Sequence, residues 1–173
     1  MRPSFLFRVS GVVALVAACS SPAPSGETIP DPGPEAGEVA GVAQGFLEAL
    51  SRTDTATLAS LLAPGAMIYS VREGDEGPAL ATVSGGDFLA SLGGEDQDLL
   101  ERMWEPVVKV EGRVAMVWTP YDFHLNGEFS HCGIDVFTLV DGGEGWQVAS
   151  ITYNVVREGC PPSPLGSPIR SGT

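Results

Sequence analysis

The spacing of apolar residues along this chain changes period once. Over residues 35–51, Val39, Val42, Ala43, Phe46, Leu47 and Leu50 recur at i, i+3, i+4 and i+7, which lays one apolar stripe along a helix. A shorter helix is expected to follow through Leu62. Thr53 or Asp54 would cap it, with Leu58, Leu61 and Leu62 turned inward and Pro64-Gly65 ending it. Residues 67–72 and 79–83 read as short strands around a Gly/Glu/Asp-rich turn, and residues 86–92 and 96–104 as short helical stretches. From Glu105 onward the period becomes two. Strands are expected over 106–110, 113–125, 128–140 and 146–156, with turns at Glu111-Gly112, Asn126-Gly127 and residues 141–145. Helices first, then an antiparallel meander, predicts an α+β domain with helices packed on one side of a curved sheet.

The longest alternating stretch holds most of the candidate chemistry. Asn126-Gly127 between two alternating runs is a strong hairpin signal. A two-residue turn there opposes Leu125 to Glu128. Counting outward then opposes Asp122 to His131, Trp118 to Asp135 and Met116 to Phe137, with Tyr121 and Cys132 together on the other side. A bulge at Gly133 would shift this assignment. Asp122 beside His131 would fix the imidazole tautomer and raise its pKa, as a general base requires. The same pair also reads as a cross-strand polar contact that sets register, worth ~0.2–1 kcal/mol. Asp135 beside Trp118 reads either as a base whose pKa is raised by apolar surroundings or as the acceptor for an indole N–H or a nearby hydroxyl. His131 and Cys132, adjacent on a strand, point to opposite faces, so that His cannot activate that thiol.

No metal site and no cofactor are expected. His131 and Asp135 share a face but lie about 13 Å apart along the strand, and zinc needs three or four ligands within ~2.3 Å. The chain has no phosphate-binding glycine motif, nucleophile elbow or CxxC pair. Its formal net charge is -13, with Lys109 the single lysine and no basic cluster. Nucleic-acid binding is thereby excluded, because phosphate contacts need Lys and Arg.

Residues 1–18 have the parts of a secretory signal: Arg2 and Arg8, a short apolar run over 9–16, and small residues before a cut. Val16-Ala17-Ala18-Cys19 resembles the lipobox of bacterial lipoproteins. That resemblance implies cleavage before Cys19, acylation of its sulfur, and attachment to the membrane of a bacterial cell envelope, facing the periplasm or exterior. The apolar run is shorter than the ~20 residues needed to span a bilayer. Residues 19–34 would then be the lipidated cysteine and a Pro/Ser/Gly tether, and 161–173, of similar composition, a disordered tail. An oxidising compartment favours a Cys132–Cys160 disulfide. The expected register, however, places Cys132 opposite about Asn154, some 20 Å short of Cys160 at ~3.3 Å per residue, unless the chain folds back after Glu158.

The order of elements, and the phrases DTATLASLLAP, VEGRVAMVWTPYDFHLNGEFSHCGIDVFTLV and GWQVASITYNVVREGC, resemble the nuclear transport factor 2-like superfamily. Within it they are similar to a bacterial exported branch catalogued as nuclear transport factor 2 family or lumazine-binding proteins. The resemblance covers residues 35–160 and implies a cone-shaped α+β barrel, with a pocket on the sheet face that meets the helices and a convex face that often pairs two subunits. On that basis Met116, Trp118, Asp122, His131, Asp135 and Phe137 are expected to line the pocket, and the Tyr121/Val136 face to form a homodimer contact. The leading expectation is binding of a small, largely apolar ligand without catalysis. Two alternatives stay open. One is a SnoaL-like or ketosteroid isomerase-like enzyme that moves protons with Asp122, His131 or Asp135. The other is a structural module that forms a homodimer.

Overall fold

The computed structural model describes residues 33–74, 77–92 and 97–168. The expected signal segment, the lipidation site Cys19 and the tether up to residue 32 lie outside the described residues.

Among the described residues, three helices and seven strands follow in the order α1 (Gly33–Ser51), α2 (Thr55–Leu61), β1 (Leu62–Gly74), β2 (Gly77–Ser84), α3 (Gly85–Leu92), β3 (Leu99–Met103), β4 (Val107–Glu111), β5 (Val114–Leu125), β6 (Glu128–Asp141) and β7 (Trp146–Val155). The apolar stripe of α1 buries Val39, Ala43, Phe46, Leu47 and Leu50. Asp54 caps α2, its Oδ1 accepting from the Thr57 backbone N–H at 3.0 Å. Both helices therefore form where apolar spacing and cap chemistry place them, but α2 stops at Leu61, since Leu62 is already extended and opens β1, which runs on through Pro64-Gly65.

The strands form one sheet in the order β2-β1-β7-β6-β5-β3, with β4 also paired to β5. The sheet is mixed and not purely antiparallel, because β1 runs parallel to β7. One face meets the helices. There Phe46, Leu47 and Leu50 pack with Ile68, Ala115, Val117, Phe137, Leu139, Val148 and Ile151 in a single core.

Three departures from the sequence reading decide what each face holds. The first is β3, which lies in the stretch expected to be helical. It pairs antiparallel with the end of β5, from Leu99 opposite Leu125 to Met103 opposite Tyr121. Asn126 of the hairpin turn ties its start, donating its backbone N–H to the Asp98 carbonyl at 2.7 Å and accepting from the Asp98 N–H at 3.0 Å. An open strand edge needs ladder partners, and that need overrides the helix propensity of Leu99-Leu100-Glu101-Arg102-Met103.

The second departure is a bulge beside the turn. Leu125 opposes Glu128 and His124 opposes Phe129 as expected, but Phe123 opposes His131, leaving Ser130 as an extra residue. One added residue turns β5 over relative to β6. Asp122 consequently opposes Cys132, not His131; Trp118 opposes Val136, not Asp135; Met116 opposes Thr138, not Phe137; and Tyr121 opposes Gly133.

The third lies between β6 and β7, where Asp141 already pairs with Trp146 and a bulge at Ala149 adds one more residue, so that Cys132 lies opposite Val156 and not Asn154. The chain then folds back through Gly159, at φ 76°, and the Cys132–Cys160 disulfide forms across a Cα separation of 6.0 Å.

Candidate functional site

Under α1 and α3, the helix-covered face of the sheet keeps a cavity of about 260 Å³. Its walls are mostly apolar: Phe46, Leu47 and Leu50 from α1, Phe88 and Leu92 from α3, Leu99 from β3, and Phe123, Phe137, Ile151 and Tyr153 from the sheet. Four lining residues can ionise as acids or bases in ordinary conditions: Arg72, Glu101, His131 and Asp135. Arg72 is the exposed member of the lining and stands on the solvent side. Of the other three, Asp135 is buried and Glu101 and His131 are half-buried.

Glu101 and Asp135 form a carboxyl pair. They reach the cavity from β3 and β6, two strands separated by β5. Asp135 is 1 % exposed, and among the described residues its buried Oδ2 meets no N–H or hydroxyl donor. Burial pushes the pKa of Asp135 well above the usual carboxylate range, and the Glu101 charge and their mutual hydrogen bond push it the same way. Burial raises Glu101 to about 7, partly opposed by the hydrogen bond from Asp135 and aided by the charge of Asp122. Asp135 is thus the proton-holding half and Glu101 the accepting half, two like charges sharing one proton because both cannot ionise in one dry site.

His131 lies on the same wall. Its ring sits 4.9 Å from that of Phe123 and edge-on to Tyr121 at 5.7 Å, with Nδ1 3.0 Å from the Ser130 hydroxyl. Burial lowers its pKa to about 4, helped by the charges of Arg157 and Arg72, so the imidazole is neutral at neutral pH. The wall is braced where Tyr121 crosses Gly133. The Tyr121 hydroxyl donates to the Asn154 carbonyl at 2.9 Å, and a Cβ on Gly133 would lie 2.0 Å from that same oxygen. Only a residue without a side chain allows this close approach.

Of the residues expected to line a pocket, His131, Asp135 and Phe137 do so, whereas Met116, Trp118 and Asp122 lie on the opposite face. The extra residue Ser130 is the physical reason. The expected Asp122–His131 and Trp118–Asp135 pairs therefore do not form. Tyr121, expected on an exposed dimer face, is instead buried, while Trp118, Val107 and Val114 are exposed.

Asp122 takes a different partner. Arg102 grips it with two bonds, Nε to Oδ1 at 2.9 Å and Nη2 to Oδ2 at 2.5 Å, and His124 Nε2 stands 3.5 Å from Asp122 Oδ1. These groups, with Phe129, the disulfide and residues 161–163 and 166–168, line a second hollow of about 420 Å³.

Glu101 and Arg102 were not candidates in the sequence reading. The available signal was alternation, with Leu99, Glu101 and Met103 on one side of a short run, but five residues are too few to separate strand from helix by period. Among the described residues no group of three or more His, Cys, Asp or Glu is placed to hold a metal ion.

No protein-family model and no curated protein matches this chain. Solved structures do. A proposed dehydratase of the NTF2-like (nuclear transport factor 2-like) family from Streptomyces avermitilis is 19 % identical, with 73 % of this chain and 99 % of that one aligned at a TM-score of 0.58. An NTF2-like superfamily protein from Salmonella enterica is 14 % identical over 72 % of this chain and 94 % of its own, with a TM-score of 0.57. The β subunit of a proposed aromatic-ring-hydroxylating dioxygenase from Novosphingobium aromaticivorans is 14 % identical over 78 % and 96 %, also at 0.57. At such identities the likeness establishes architecture and leaves activity open. Helices on one face of a curved, mixed seven-stranded sheet give this chain the cone-shaped α+β fold of the NTF2-like proteins.

Proposed function

We propose that this chain is a small-molecule-binding domain held at a bacterial cell envelope through lipid on Cys19, and that its ligand occupies the cavity beneath α1. One observation carries the reading. Asp135 lines a largely apolar cavity, and its buried Oδ2 has no such donor among the described residues. Buried polar atoms are nearly always satisfied, so a buried carboxyl oxygen that meets no N–H or hydroxyl donor, on a residue lining a cavity, favours a donor supplied from outside. An apolar cavity of ~150 Å³ holds one benzene. A cavity of about 260 Å³ has room for a ring with a short substituent.

A second reading is favoured by the carboxyl pair itself. A proton shared between Asp135 and Glu101, with a pKa near 7 on the accepting half, suits an enzyme of the isomerase or dehydratase type. Asp135 would deliver the proton and Glu101 remove it. This pair takes the place of Asp122 and His131 as the acid–base candidate. The Streptomyces avermitilis neighbour, a proposed dehydratase, is consistent with that chemistry on this fold.

Native mass spectrometry of the full chain, before and after denaturation, tests the reading. Release of a small molecule on denaturation supports ligand binding and gives its mass. A chain that is empty as purified and takes up no ring-bearing probe of this size contradicts it.

A further inference from the structure

Taking the cavity as a ligand site, as proposed above, we infer that its ligand is a protonated amine carried on a single ring, with the ammonium seated between Glu101 and Asp135. The geometry sets two requirements. The lining includes two carboxyls, and one of them, Asp135, is almost wholly buried with an oxygen that meets no N–H or hydroxyl donor among the described residues. The remainder presents rings: Phe46, Phe88, Phe123, Phe137 and Tyr153. A hydroxyl offers such a pair one donor. An ammonium offers three donors and a full countercharge, and rings at the flanks of a cation add attraction to their π-faces.

The other groups around the pair leave this preference in place. His131 adds no positive charge at neutral pH, being held neutral by burial and by Arg157 and Arg72. Tyr121 stays a neutral phenol, its pKa raised by burial and by the charges of Glu101 and Asp135. From the helices come only Phe46, Leu47 and Leu50 of α1 and Phe88 and Leu92 of α3. Asp122, behind the sheet, is paired with Arg102. Arg72 opposes a cation, but it is exposed, and water and salt screen its charge more than that of the buried pair. On binding, the ammonium replaces the proton held by Asp135, which leaves to solvent, and below about pH 7 a second proton leaves from Glu101, so affinity rises with pH through about 7 and beyond.

The test is calorimetry on the full chain with three probes of nearly equal shape: benzylamine, benzyl alcohol and benzoate. At pH 8 benzylamine should bind tighter than the alcohol by about tenfold, as expected when neutral hydrogen bonds become charge-assisted, with benzoate weakest. Benzylamine affinity should fall below pH 7 while that of the alcohol stays level. Its heat of binding should vary with the ionisation enthalpy of the buffer, reporting the released proton. Asp135→Asn should remove the amine preference and keep alcohol binding. Glu101→Gln should do the same, and supplies the answer if Asp135→Asn does not fold. Alcohol binding as tight as amine binding, with no proton released, overturns the inference and leaves the cavity a ligand site. Failure of all three probes to bind overturns both.

Discussion

Asp122 and Asp135 belong to one hairpin, and both are buried, at 4 % and 1 % exposure. Each takes its partner from β3, and the two partners are neighbours in sequence. Arg102 meets Asp122 with a counter-charge and two hydrogen bonds, whereas Glu101 meets Asp135 with a second acid. Alternation along a strand sends adjacent side chains to opposite faces, so five residues of β3 equip both faces of the sheet at once. On one face a buried charge is satisfied by a paired cation, as structural polar groups are. On the other, two like groups are confined to a site that must keep a proton or find a ligand. The lesson is that a buried aspartate says little by itself; the side chain across the ladder decides whether it is architecture or chemistry.

This contrast can be broken from either side. The largest effect is expected at Arg102. Arg102→Met strands the Asp122 carboxylate without its counter-charge and should cost about 3–5 kcal/mol in denaturant unfolding, the usual penalty for breaking a buried ion pair. Next comes the bridge that holds residues 160–168 against that same face. Replacing both cysteines with alanine opens a closure of 28 residues and should lower stability by about 2–4 kcal/mol, with the cavity face and its ligand binding retained. Gly133→Ala acts on the brace between the two faces. Its Cβ would meet backbone oxygen at 2.0 Å, and the forced shift of β6 against β7 should cost about 1–3 kcal/mol, by thermal or denaturant unfolding.

The subtlest test is the pH dependence of the difference between wild type and Asp135→Asn. A carboxyl whose folded pKa is raised stabilises the fold below its ordinary value and loses that contribution as pH rises through the folded one. For Glu101 the window runs from 4.5 to about 7, and Asp135 acts in the same direction from 3.8 upward. The stability advantage of wild type over Asp135→Asn should therefore shrink steadily as pH rises across this range. His131 works in the opposite sense, since its value is lowered from 6.5 to about 4 and its contribution is lost as pH falls. His131 and Glu101 are present in both proteins, so the difference between them isolates the Asp135 carboxyl. A difference that is flat with pH would contradict the shared proton.

Much of the fold was legible because its signals are long or chemically specific. The α1 stripe, the Asp54 cap, the Asn126-Gly127 turn and four strands each rest on several residues that agree. The candidate site was half legible. His131, Asp135 and Phe137 line the cavity because alternation along β6 is unbroken from His131 onward. Met116, Trp118 and Asp122 do not, because turn chemistry fixes register only beside the turn, and nothing in the residue Ser130 announces that it is supernumerary. Glu101 was missed for another reason. Five residues rich in helix formers become a strand only because the end of β5 offers an unpaired edge, a tertiary condition that no local pattern carries.

The most direct test of the carboxyl pair is a titration of its side-chain carbons by carbon-13 NMR, with Asp135→Asn and Glu101→Gln to assign them. The account predicts two coupled steps, both above the ordinary carboxylate range, the lower near pH 7, with Glu101 held up by burial and moving further up once Asp135 and its hydrogen bond are lost. Two independent carboxyls, each titrating near its ordinary value and indifferent to loss of the other, would contradict it.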